Sequence, residues 1–88
     1  MIVYNVNYTP AVYKALKKID KPTRNMILSW IGKNLDGCVN PRQHGKPLTA
    51  NRSGQWRYHV GDYRLIAEIQ DDKIIILILS IGHRREIY

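Results

Sequence analysis

Cysteine is nearly absent from this sequence. Cys38 is the single one, which excludes an intramolecular disulfide framework and a cysteine-built zinc site. Long apolar runs are missing too. The longest, Ile74 to Leu79, falls far short of the roughly 20 residues that a membrane helix needs. The first residues, Met1-Ile2-Val3-Tyr4-Asn5, have neither the basic start nor the apolar stretch of a signal peptide, so a soluble, cytoplasmic protein is expected. Acidic residues are scarce, at 7 against 14 Lys plus Arg. There is no paired carboxylate, no GxSxG, no HExxH and no phosphate-cradling glycine motif. Internal repeats, linkers and low-complexity tracts are also lacking.

What remains is one basic domain. Eighty-eight residues allow a single core over 1–88 and leave no room for a cofactor domain beside a substrate domain. A hydrophobic content of 44% excludes intrinsic disorder. The formal charge of +7 favours polyanionic partners such as nucleic acid, a ribosome, an acidic protein or a membrane surface. Excess lysine also serves solubility, so the distribution of charge has to decide.

The order of elements predicts an α+β fold. It has an N-terminal strand, a helical hairpin and a three-stranded antiparallel meander that completes one sheet. Met1 to Tyr8 alternates with β-branched and aromatic residues, as a strand does. Thr9 is placed to cap a helix that has Pro10 at its first position. Val12, Ala15, Leu16 and Ile19 then form one apolar face. Asp20-Lys21-Pro22 breaks this helix, and a second is expected from Pro22 to Leu35, with Gly37 as its stop. Its Met26, Ile27, Trp30, Ile31 and Leu35 stripe reads as core.

Residues 37–54 read as a long loop, of the kind that tends to be functional or mobile. It carries Arg42, His44, Lys46 and Arg52 and no acidic residue, so these four are candidate substrate-binding groups. Strands are then expected over Gln55 to Val60, Tyr63 to Gln70 and Lys73 to Ile81. The run Ile74 to Leu79 reads as a central strand covered on both faces.

Register decides which side chains share a face. A two-residue Gly61-Asp62 turn pairs Val60 with Tyr63, His59 with Arg64, Tyr58 with Leu65 and Arg57 with Ile66. Trp56, Tyr58, Val60, Tyr63 and Leu65 then face the helices, and Arg57, His59 and Arg64 point the other way. Treating Asp71-Asp72 as a second two-residue turn predicts Arg64 opposite Leu79. It also sets His83 on the same face as His59 and Arg64, with Arg84, Arg85 and Tyr88 following. Like charges placed across a strand pair are unfavourable without an anion nearby, so this face suggests a phosphate site. A solvated basic face, or pairing with Glu68 and Glu86, is the plainer alternative.

The residues fit RNA cleavage better than other chemistries. The 2′-hydroxyl attacks the adjacent phosphate, so the protein need supply only a base, an acid and positive charge. Histidine has the right proton affinity and arginine the right planar fork. Cys38, in a loop start without a fixed histidine partner, reads as an ordinary thiol. The three histidines come from two strands and a loop with no orienting carboxylate, so neither a metal site nor a cofactor is expected.

Three segments carry a resemblance. They are His44-Gly45-Lys46-Pro47-Leu48, Gly54-Gln55-Trp56-Arg57-Tyr58-His59-Val60-Gly61-Asp62-Tyr63-Arg64, and Ile81-Gly82-His83-Arg84-Arg85-Glu86-Ile87-Tyr88. Together they resemble the RelE-type toxins of the RelE/ParE superfamily over essentially the whole chain. The resemblance implies a type II toxin that enters the ribosomal A site and cuts mRNA there without a metal. Its implied partners are a cognate antitoxin in a hetero-oligomer, the ribosome and mRNA, with no membrane. On this likeness Arg57 and His59 stand where the family has a pair of lysines, Arg64 and Arg84 match its arginines, and Tyr88 matches its terminal tyrosine, which stacks on the base. The implied catalytic set is Arg57, His59, Arg64, His83, Arg84 and Tyr88, with His59 or His83 as base and acid, and Arg85 joins the substrate-binding group. The alternatives are a ParE-like inhibitor of DNA gyrase without nuclease activity and a non-catalytic basic module that binds nucleic acid.

Overall fold

The computed structural model describes residues 2–48 and 54–85. Strand β1 (Asn5–Tyr8) leads into helix α1 (Pro10–Lys18) and helix α2 (Lys21–Asn34). Strands β2 (Lys46–Pro47), β3 (Gln55–Val60), β4 (Tyr63–Gln70) and β5 (Ile75–His83) follow. They form one five-stranded sheet in the order β1-β5-β4-β3-β2. β1 runs parallel to β5, and the other neighbours are antiparallel. The α+β class, the helical hairpin and the meander are as the sequence predicts, and β2 is an addition.

Each departure from the predicted boundaries has a local cause. β1 starts at Asn5 because the backbone before it is committed elsewhere. Tyr4 donates to the Cys38 carbonyl at 2.8 Å, and Gly37 returns a bond to Tyr4. Thr9 holds the N-cap position of α1 with Pro10 behind it, but its side chain makes no cap. Its hydroxyl donates instead to the Leu79 carbonyl at 3.3 Å. α2 begins one residue earlier than expected because Asp20 caps it, accepting from the Thr23 N–H at 3.2 Å and the Thr23 hydroxyl at 2.9 Å. Those bonds lower the carboxyl's proton affinity.

The core lies between the helices and one sheet face. Val12, Leu16, Ile27, Ile31 and Leu35 meet Tyr58, Val60, Leu65, Ala67, Ile76, Ile78 and Ile81 there. The expectation that β5 is covered on both faces does not hold among the described residues. Ile76 and Ile78 are buried, whereas Ile75 and Leu77 on the other face are half-buried, and no helix lies over them.

Residues 37–48, after α2, are tied down rather than loose. The Tyr58 hydroxyl donates to the Pro41 carbonyl at 2.6 Å, and the Trp56 indole N–H to the His44 carbonyl at 2.6 Å. The Arg42 fork grips both Asp71 oxygens, at 3.0 and 2.9 Å. Tyr4 donates to Asp71 as well, at 2.6 Å. Arg42 first, then Tyr4, hold the Asp71 carboxyl down at about 2. A lowered carboxylate stabilises the fold above the ordinary Asp range and loses that contribution as pH falls from about 4 toward 2. With both partners well exposed, the contribution is about 0.5–1 kcal/mol. Asp71→Asn is expected to lose that amount in urea unfolding at neutral pH and to match wild type near pH 2.

Candidate functional site

The β3–β4 hairpin has the predicted register throughout. His59 faces Arg64, Arg57 faces Ile66, and Val60 faces Tyr63. Gly61, at φ 59°, takes the left-handed backbone that the tight turn requires. Arg57, His59 and Arg64 therefore share the sheet face away from the helices. β2 adds one more group, since Lys46 pairs with Arg57 and projects from the same side.

The register of β5 differs from expectation, and the difference moves a residue. The β4–β5 turn holds four residues, 71–74, closed by bonds from Lys73 to Gln70 and from Ile74 to Asp71. Ile74 adopts φ 51°, rare for a β-branched residue. Gln70 thus pairs with Ile75, two positions on from the prediction, which preserves the faces. A bulge then separates the Ala67–Ile78 pair from the Ile66–Ser80 pair, which inverts them. Arg64 faces Gly82 rather than Leu79, and His83 faces Tyr63.

His83 therefore lies on the helix side, not beside His59 and Arg64. Its ring meets Tyr63 edge-on at 5.5 Å, and its Nδ1 accepts the Arg85 N–H at 3.3 Å. Its position serves the course of the chain after β5. The Arg84 N–H donates to the Asp62 carbonyl at 2.9 Å, tying that segment to the hairpin turn. Arg57, Arg64, Arg84 and Arg85 line an open cavity of about 510 Å³.

The charges on this face act on one another. Partial desolvation first, then Arg57 and Arg84, lower the proton affinity of Arg64. Partial desolvation, then Arg64, Arg57 and Lys46, hold His59 below the ordinary histidine range. These influences favour the neutral imidazole, which is able to take up a proton. Arg57 and Arg64 offer planar forks to a phosphate oxygen pair. Glu68, further along the same face, accepts from Gln70 at 2.6 Å.

Other predicted site residues lie elsewhere. Arg42 is committed to Asp71 and sits 6.0 Å over the Trp56 ring, on the helix side. His44 packs edge-on against Trp30 at 5.8 Å, also on that side. Arg52 and Tyr88 lie outside the described residues. Among the described residues no three His, Cys, Asp or Glu side chains gather as metal ligands. No described helix is long and apolar enough to cross a membrane.

Gly45 supports the site without belonging to it. At φ 76° it lies so close to β3 that a Cβ would run into the Arg57 carbonyl and the Trp56 and Tyr58 side chains. Sequence reading gave this glycine no task, because its crowding comes from a strand ten residues on. Gly45→Ala is expected to cost about 1–3 kcal/mol in denaturant unfolding, with β2 and Lys46 displaced from Arg57.

Residues 6–88 match the family described as ParE toxin of type II toxin–antitoxin system, parDE. The chain belongs to this family, within the RelE/ParE superfamily. It is 32% identical over 87 residues to Toxin RelG of Mycobacterium tuberculosis, covering 97% of this chain and 95% of that protein. Its fold superposes on a chain of the toxin–antitoxin complex RelBE2 from M. tuberculosis with a TM-score of 0.83. The identity there is 27%, with 98% and 97% of the two chains covered. An Escherichia coli RelE variant in the free state shares the fold at a TM-score of 0.75 and 18% identity, over 93% of this chain and 84% of that one. The chain is a toxin of a type II toxin–antitoxin system.

Proposed function

We propose that this toxin is a ribosome-dependent endoribonuclease that cuts mRNA in the A site without a metal. The supporting observation is the cavity lined by Arg57, Arg64, Arg84 and Arg85, with His59 directly opposite Arg64. The 2′-oxygen of the substrate attacks the adjacent phosphorus and the bond to the 5′-oxygen breaks. One proton leaves the 2′-hydroxyl and one reaches the 5′-oxygen. The arginines bear the charge that builds on the phosphorane. His59 moves one of the two protons, while His83, turned toward Tyr63, shapes the strand end. So few groups on so open a face require the ribosome to position the RNA.

The M. tuberculosis relative was solved in a toxin–antitoxin complex. We extend this to a cytoplasmic hetero-oligomer in which an acidic or mixed-charge antitoxin neutralises the arginine face. Ribosomes programmed with a defined mRNA, with 3′ ends mapped, test the reading. A-site cuts are expected with wild type and not with Arg84→Ala. The matching family is described by its ParE members, so folded wild type that leaves mRNA intact points to gyrase inhibition or to a non-catalytic binder.

A further inference from the structure

His59 is surrounded on its face by cations from three strands. Arg64 lies directly opposite on β4, Arg57 lies two residues back on β3, and Lys46 is Arg57's partner on β2. Beyond Arg64 the sheet offers only Gly82, with Arg84 past the strand end. Among the described residues, the strand carboxylate on this face is Glu68, four residues from Arg64 along β4, roughly 13 Å at the rise of a strand, and it bonds Gln70. Arg64, Arg57 and Lys46 all oppose protonation of His59.

We infer that filling the arginine cavity with a doubly charged, phosphate-like anion and protonating His59 are thermodynamically linked, so that the anion's arrival carries a proton onto the imidazole. This rests on the reading of the face as a phosphate site and assigns His59 a side in the proton traffic. A group that is neutral in the empty site and an imidazolium in the filled one is set to give a proton up, toward the departing oxygen. The depressed proton affinity of His59 in the free protein agrees with this. Linkage is reciprocal, so the anion binds more tightly where His59 is already charged.

Sulfate is the probe, because it remains a dianion across the titration and brings no proton of its own. The ring protons of His44, His59 and His83 are followed by NMR from about pH 5 to 8, in sodium sulfate and in sodium chloride at matched ionic strength. Matching removes the simple screening of the arginines. In sulfate the His59 midpoint is expected to rise by about one pH unit, with His44, packed against Trp30 on the helix side, as the internal reference. Sulfate affinity is expected to rise about tenfold on passing below that midpoint. Arg64→Gln should raise the His59 midpoint in chloride and remove the sulfate increment.

Three results overturn the inference, and they differ. Sulfate that shifts the arginine side-chain resonances but leaves the His59 midpoint in place defeats the linkage and spares the phosphate site. Sulfate that shifts neither defeats both. A rise shared equally by all three histidines is a bulk salt effect and also overturns it.

Discussion

Arg64→Ala is expected to lower ribosome-dependent cleavage by about 10²–10³-fold, the usual cost of removing one group that meets transition-state charge. Stability should not fall with it. Arg64 lines the open cavity rather than the core, so the variant should unfold at a urea concentration close to that of wild type. Arg64→Lys retains the charge but not the planar fork and should recover little activity. The pair of readouts matters, because a residue needed only for folding would lose stability along with activity. Cleavage by Arg64→Ala within about threefold of wild type, under about 1 kcal/mol of transition-state free energy, would remove the arginine cavity from the mechanism.

The largest stability effect is expected from Tyr58→Ala. Tyr58 is fully buried, and burial raises the proton affinity of its phenol. The ring fills the core against Trp30 at 5.9 Å, and its hydroxyl holds the buried Pro41 carbonyl. Truncating a buried aromatic costs about 3–5 kcal/mol, a large part of the total stability of a small domain. Tyr58→Phe retains the packing and leaves one buried carbonyl short of a donor, for about 1–2 kcal/mol. Chemical denaturation of the two variants separates packing from tethering. Equal losses in both would assign the whole effect to the hydroxyl and contradict the packing argument.

Legibility followed the range of the interactions. The β3–β4 hairpin could be read because its turn, Gly61-Asp62, sets the register of every pair beside it. That alone placed Arg57, His59 and Arg64 on one face. The helical hairpin was legible from spacing, and only the Asp20 cap shifted its start. The β4–β5 register was not legible. Asp71-Asp72 resembles a two-residue turn, but the turn runs to Ile74, and the bulge leaves no composition signal. His83 was misplaced for that reason. Arg42 and His44 were read from local charge in a segment that lacks acids, while the partners that claim them, Asp71 and Trp30, are 29 and 14 positions away in sequence. Lys46 could be listed as a basic group but not located, since a two-residue edge strand has too little pattern to recognise.

The bulge in β5 decides which side chains of the strand end meet the arginines. Upstream of it, Ile75 and Leu77 share the arginines' side of the sheet, and downstream Gly82 does. Because Gly82 has no side chain, the floor opposite Arg64 stays clear for a ligand. A bulge is one residue more than the partner strand matches, so deleting Leu79 would leave Gly82 opposite Arg64 and His83 opposite Tyr63. The exchange would come instead from drawing Leu79 into the ladder opposite Ile66. Ile81 would then face Arg64 and His83 would move to the arginines' side, so the open floor depends on the extra residue staying out of the ladder.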